Sequence, residues 1–311
     1  MVTIHTKPEV SIIMATYNRA HLIEESLTSI QNQTFENWEC IIIDDGSTDE
    51  TSAILQPYLK NFRFRYLPRS AKHKKGLPGC RNYGIELAIG DYIVFFDDDD
   101  VAHPDHFKIT IPILKKNDFH FCHYTREVFF GEFDREFNRS LNYSSQHIDY
   151  KNLDKIITHE LPFNSCAVIW KKECFSSNKF NEDLLYAEEW ELYSRLLSNG
   201  YTGISIDKTL YYGRKHNASN TGEFYLGNKI RRESKIKAIQ LVSENLKDKK
   251  LLTPFLTRYF IQLAFLLNDK ALINFLGKLT NLSRADIYRY QMIRKYYPLI
   301  SKYLRFKKKY L

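Results

Sequence analysis

Four short apolar runs, separated by helical spacing, constrain this chain more than any other feature. They are Val10 to Ala15, Trp38 to Ile43, the weaker Arg63 to Leu67, and Tyr92 to Phe96. Unbroken β-branched and aromatic runs of this length suit strands buried on both faces of a parallel sheet. Between them, Leu22, Ile23, Leu27 and Ile30 share one helical face, and Ser47-Thr48-Asp49-Glu50 has the residues of a cap opening a second helix. Gly79 to Ile89 predicts a third helix, ended by Gly90. Repeated βα units with right-handed crossovers make a doubly wound α/β sheet, mostly parallel and flanked by helices.

Ligands of such sheets bind beyond the carboxyl ends of the strands. Thr16-Tyr17-Asn18, Asp44-Asp45-Gly46 and Asp97 to Asp100 each follow a strand directly, so all three are expected at one edge. After residue 118 the pattern is mixed. Phe119 to Tyr124 and Cys166 to Trp170 predict strands, Arg126 to Tyr150 has no regular pattern, and Glu188 to Ser198 has helical spacing.

Charge divides the chain. The net +8 combines 20 Lys/Arg and 5 Asp/Glu in residues 226–311 with 25 basic and 32 acidic residues in 1–225. The expected organisation is a ligand-binding domain over 1–225 and a basic helical extension over 226–311. The first ten residues lack the pattern of a signal peptide. No apolar stretch approaches the ~20 residues of a membrane span. Five cysteines, odd in number and without a C-x-x-C pair, predict buried free thiols and a cytoplasmic protein rather than a zinc site.

Asp97-Asp98-Asp99-Asp100 carries the most chemistry. Adjacent carboxylates repel one another unless a cation or solvent screens them. Oxygen-only ligands suit Mg²⁺ or Mn²⁺ bridging protein carboxylates and substrate phosphates. The alternative is a solvated acidic turn.

At this point the chain resembles the family-2 glycosyltransferases with the GT-A fold. The segments VSIIMATYNR (10–19), IIDDGST (42–48), GCRNYG (79–84), GDYIVFFDDDD (90–100), AEEWEL (187–192) and YYGRKHNAS (211–219) follow that family's pattern in order, over roughly residues 8–220. The resemblance implies transfer of a sugar from a nucleotide-diphosphate donor, by family habit a UDP-sugar, to an acceptor hydroxyl. It implies a place in cell-surface polysaccharide or glycolipid synthesis, with a saccharide or lipid-linked acceptor.

It also implies roles. Ala15 and Tyr17 stand where the family holds the donor base, and Asp45 where a carboxylate pairs with it. Arg81 is expected near the nucleotide, since a guanidinium suits diphosphate oxygens; a structural ion pair is the alternative. The D-x-D pattern falls on Asp97 and Asp99, so Asp99 would ligate the metal and Asp97 or Asp98 meet the ribose. Late in the pattern, His216 matches a histidine that binds metal or diphosphate. Glu188-Glu189-Trp190 matches an acidic pair whose second member is the general base of an inverting displacement, with Glu189 where Asp is usual. Asn164, Ser165, Glu188 and Trp190 fall where acceptor contacts are made.

Two other readings compete. A nucleotidyltransferase shares the core and the carboxylates but places a glycine-rich loop after the first strand, where this chain has Ala15-Thr16-Tyr17-Asn18-Arg19. A catalytically silent sugar-nucleotide or membrane-binding protein of the same fold is favoured only by the Glu189 departure. Processive relatives carry Q-x-x-R-W; Gln291-Met292-Ile293-Arg294-Lys295 lacks the tryptophan, which favours single addition. The basic tail, ending Arg305-Phe306-Lys307-Lys308-Lys309-Tyr310, suits peripheral contact with an anionic membrane at its inner face. A solvated basic subdomain or a dimer contact is the alternative. No motif supports nucleic-acid binding.

Overall fold

The computed structural model describes residues 7–215, 220–283 and 285–292. The chain divides after Arg231 into two compact units. In the first, strands β1 (Val10–Thr16), β2 (Trp38–Asp44), β3 (Phe64–Pro68) and β4 (Tyr92–Asp97) alternate with helices α1 (Ile23–Gln31), α2 (Thr51–Leu55) and α3 (Leu77–Leu87). The strands are parallel in the order β3-β2-β1-β4. The order reverses at β1, so a switch point opens between β1 and β4, where Ala15 lies in register with Asp97.

Why these residues form this half is plain from burial. Val10, Ile12 and Met14 of β1 are buried in one core with Ile23, Leu27 and Ile30 of α1. On the helix α3, Gly84 permits close approach, because a Cβ there would come within 2.4 Å of Ile13 Cγ2. Each large apolar side chain buried in this way contributes about 1.5–3 kcal/mol relative to exposure.

Beyond β4 come β5 (Val101–Ala102), α4 (His106–Lys116), β6 (Phe121–Phe129), β7 (Ser145–Ile148), α5 (Leu153–Ile157), β8 (Val168–Lys171), α6 (Glu188–Ser198), β9 (Gly203–Arg214) and α7 (Asn220–Tyr225). Here the sheet is mixed. β8 runs antiparallel to both β4 and β6, β6 runs parallel to β9, and β5 and β7 run antiparallel to β9. The parallel pairing expected from sequence thus holds for the first four strands, and the pattern that is mixed in sequence after residue 118 is mixed in the sheet as well. The antiparallel entry of β8 has a functional result: it brings residues 164–167 to the edge where β4 ends.

Several boundaries also move. α3 starts at Leu77 rather than Gly79, and β6 continues to Phe129. Ser165–Ala167 is a 3₁₀ turn, so β8 begins only at Val168. All five cysteines are buried and free. Burial raises their thiol pKa values, those of Cys80 and Cys174 to about 12.

In the residues that follow, α8 (Lys229–Asp248), α9 (Pro254–Leu266) and α10 (Lys270–Leu279) form the basic extension. α9 opens on Thr253, whose hydroxyl accepts the Leu256 N–H at 3.1 Å, with proline next in line. α10 opens likewise on Asp269, which accepts from Leu272 N–H at 2.8 Å. Among the described residues no helix is long and apolar enough to cross a membrane. The Arg305 to Tyr310 segment lies outside the described residues, as does most of the Gln291 to Lys295 string.

Candidate active site

The ends of β1 and β2 are stitched together by short polar contacts. Asp44 accepts the Gly46 and Ser47 N–H groups and the Ser47 hydroxyl on one oxygen, and the Tyr66 hydroxyl on the other. Asn18, at φ +52°, accepts the Thr48 N–H, while its own N–H donates to Ser47 Oγ. Asp44 therefore closes the turn after β2. Asp45 is held otherwise: Arg69 Nε donates to it at 2.5 Å and Gly76 N–H at 2.9 Å. Tyr17 is not a core aromatic. Its side chain is 46% exposed, and Lys75 Nζ sits 4.7 Å from the ring centre.

The four aspartates after β4 alternate in environment. Asp97 and Asp99 are partly open, whereas the Asp98 and Asp100 side chains are only 9% and 1% exposed. Asp98 lies 3.5 Å from Arg19 Nε, and burial followed by repulsion from Asp99 pushes its pKa up to about 7. Asp100 is enclosed more tightly. It accepts from the Arg214 backbone N–H at 2.7 Å and pairs with Arg126 at 3.3 Å, while burial pushes its pKa well up. Arg214 Nε adds a bond to the Asp99 carbonyl at 2.9 Å. Gly213 makes room for this cage: a Cβ there would fall within 1.6 Å of the Arg126 guanidinium.

One buried guanidinium joins this edge to α6. Arg81, 2% exposed, donates to Asp97 at 3.2 Å, to Ser165 Oγ at 2.8 Å and to Glu188 at 3.0 Å. Burial and the neighbouring Glu189 push the Glu188 pKa up to about 8, with Arg81 opposing. Ala187, just before α6, takes a left-handed conformation at φ +63° that L-residues rarely adopt. That turn sets the direction of the helix. Glu188 then points inward to Arg81, while Glu189 is partly open.

The residues expected at the site therefore separate into two groups. Ala15, Tyr17, Asp45, Asp97, Asp98 and Asp99 lie on or just after strand ends at one edge, and Glu189 is partly exposed in the first turn of α6. Arg81, Ser165 and Glu188 are buried and bind one another. Trp190 is 5% exposed and gives its indole N–H to the Ile157 carbonyl at 3.1 Å, anchoring α6 to α5. Asn164 is partly open, at the mouth of a cavity. His216 lies outside the described residues.

Sequence reasoning missed Arg19, Arg126 and Arg214 as partners of the acidic run. A signal existed, since four carboxylates in a row demand nearby cations, but it does not say which arginines answer. Oxygens of Asp97 and Asp100 and the Cys166 sulfur also lie within 4.8 Å of one another. Burial holds Cys166 firmly as a thiol, and hard divalent cations prefer oxygen. Asp99, partly open, offers carboxylate oxygens of the kind that Mg²⁺ or Mn²⁺ takes.

Comparison with known proteins agrees with this geometry. The model of Glycosyl transferase family 2 matches residues 11–173. An uncharacterized glycosyltransferase of Rickettsia felis is 33% identical over 218 residues, which cover 68% of this chain; the chain spans about a third (34%) of that relative's length. The UDP-Glc:alpha-D-GlcNAc-diphosphoundecaprenol beta-1,3-glucosyltransferase WfgD of Escherichia coli is 34% identical over 119 residues, 38% of this chain and 46% of WfgD. Among solved structures, residues 1–349 of S. aureus TarS in complex with UDP-GlcNAc superpose with a TM-score of 0.73 at 20% identity, covering 94% of this chain and 92% of that one. The sheet order, the strand-end carboxylates and the family match agree: the chain belongs to the family-2 glycosyltransferases and has the GT-A fold.

Proposed function

We propose that this glycosyltransferase moves a sugar from a UDP-sugar donor to an acceptor hydroxyl in one inverting, divalent-metal-dependent displacement. The observation that carries the reading is the Arg81 bridge, which joins Asp97 at the end of β4 to Glu188 beside Glu189, 91 residues on in sequence. Donor and base are thereby held to one edge. The exposed Tyr17 ring stacks on the base beside Ala15, and Asp45, fixed by Arg69 and Gly76, accepts its ring N–H. Asp97 and Asp98 meet the ribose, and Asp99 with His216 would hold Mg²⁺ or Mn²⁺. When bound, the cation offsets charge developing on the departing nucleoside diphosphate.

Glu189 takes the acceptor hydroxyl proton as that oxygen forms its bond to the anomeric carbon. The bond from that carbon to the diphosphate breaks on the opposite face, and its electron pair leaves with the nucleotide. Arg81, Ser165 and Glu188 act as positioning residues beneath these groups. Both WfgD and TarS carry uridine nucleotides in their names or complexes, which supports a uridine donor. WfgD acts on a diphosphoundecaprenol-linked sugar, which supports a lipid-linked acceptor in surface-glycan synthesis.

Replacing Glu189 with Gln tests the base. Transfer should fall by about 10²- to 10⁴-fold while the thermal shift given by UDP with Mn²⁺ persists. Retained turnover would remove Glu189 from the role. We further assign residues 1–225 as the catalytic domain and 226–311 as a basic extension that rests on anionic membrane from the cytoplasmic side. Co-sedimentation with anionic vesicles but not neutral ones checks that assignment, and equal partition would remove it.

A further inference from the structure

A cavity of about 530 Å³ opens beside the bridge just described, on the side of β6, β7 and β9. Its volume lies within the ~300–1,000 Å³ typical of small-ligand sites. The lining is built from one stretch of each strand, residues 123–126, 144–146 and 205–207, together with 161, 162 and 164. Gln146 of β7 pairs in register with Ser205 of β9, which pairs with His123 of β6, so these three form one row. The Asp207 N–H bonds the Ser144 carbonyl at 2.9 Å, and these residues line the next part of the same face. Asn164 completes the rim, one residue before the Ser165 that Arg81 holds.

The chemistry of this lining selects a ligand class. It offers hydroxyl and amide groups, one exposed carboxylate at Asp207, and a single cation, Arg126. Arg126 is committed to Asp100, so the cavity holds no surplus positive charge for a phosphate or diphosphate. His123 adds none either, because burial depresses its pKa to about 4 and keeps the ring neutral. A carboxylate among neutral hydrogen-bonding groups suits vicinal hydroxyls, each of which can donate to an oxygen and accept from an amide.

We infer that this cavity is a subsite for a neutral glycosyl unit of the acceptor, recognised by Gln146, Asp207 and Asn164. The inference rests on the glycosyltransferase reading of the neighbouring edge and adds to it the chemical class of what approaches Glu189. The cavity reaches the catalytic edge at two points, through Asn164 next to Ser165 and through Arg126 next to Asp100. A sugar seated there lies on the acceptor side of the Arg81 bridge, away from the strand-end loops of β1 and β2.

The test is saturation-transfer NMR on the full chain with UDP and Mn²⁺ present. The probes are methyl glycosides of glucose, galactose, N-acetylglucosamine and N-acetylgalactosamine, with inorganic phosphate as the anionic control. At least one glycoside should receive saturation, and phosphate should not compete with it. Gln146→Trp, which fills the cavity, and Asp207→Ala should each weaken that binding about tenfold or more. Both variants should keep the wild-type thermal shift with UDP, which also shows that they fold. Binding unchanged in both variants, competition by phosphate, or no glycoside bound at all overturns the subsite. A wild-type chain that binds a glycoside at this cavity but never responds to UDP would instead count against the donor site and leave the subsite standing.

Discussion

The two halves of the sheet solve the same packing problem by different means. In the parallel half, residues 10–97, loops are closed by polar contacts made within that half, some to near neighbours, as Asp44 to Gly46 and Ser47, and some between loops, as Asn18 to Thr48 and Asp45 to Arg69 and Gly76. The mixed half, residues 101–214, is tied to the first by arginines that reach across the chain. Arg81 finds Glu188, Arg126 finds Asp100, and Arg214 pairs with Glu25. Long-range charge pairing makes the reacting edge depend on both halves at once, with the acidic run as the seam.

Removing the seam should have the largest effect. Arg81→Met leaves Asp97 and Glu188 without their buried partner, and losing one member of such a pair typically costs about 3–5 kcal/mol. Urea unfolding should show a loss of that size, and transfer should fall with it. Arg81→Lys, which restores charge without the planar fork, should recover only part. Wild-type stability in the methionine variant would end the comparison, because the mixed half would then not depend on the bridge.

Acid should strain the mixed half next. His123, on β6, donates its Nε2–H to the Pro162 carbonyl and, as a neutral ring, accepts the Ser205 hydroxyl at Nδ1, and burial lowers its pKa to about 4 from the ordinary 6.5. The unfolded chain therefore takes up the proton first. The stability due to the neutral ring is fully present above pH 6.5 and is lost as pH falls toward 4. The buried acids Asp98 and Glu188, with raised pKa values, titrate with the opposite sign. The measurement is thus the stability difference between wild type and His123→Gln, which should shrink by about 3 kcal/mol between about pH 7.5 and about pH 4. A pH-independent difference would show that the ring is not held neutral.

The smallest effect belongs to the parallel half. Asp49 accepts the Thr51 N–H at 3.1 Å and the Ala20 N–H at 3.1 Å. Asp49→Ala should cost about 1 kcal/mol in urea unfolding, the usual net worth of such hydrogen bonds, with transfer almost unchanged. A large loss of transfer would mean that the donor edge is less locally determined than its contacts indicate.

The same contrast explains what was legible in the sequence. β1, β2, β4 and the face of α1 are written as unbroken apolar runs and one apolar stripe, so pattern alone finds them. α4 is hidden by Pro112 inside it, a residue that normally breaks helices. β7, with three exposed residues of four, has no apolar signature, and β9 is interrupted by Asp207 and Lys208. Among the candidate site residues, the strand-end positions could be read because topology puts them there. That Ser165 and Glu188 turn inward to Arg81 could not, because nothing near either one in sequence states its partner.

The five sealed thiols have a practical consequence. With every native cysteine buried and its sulfhydryl kept protonated, alkylating dyes should pass the folded chain by. A single cysteine placed at exposed Leu141 would then be the only one to couple, without removing the others first. Leu141 precedes the strand that carries Gln146, so a fluorophore there would sit close to the cavity and give acceptor arrival an optical readout in real time.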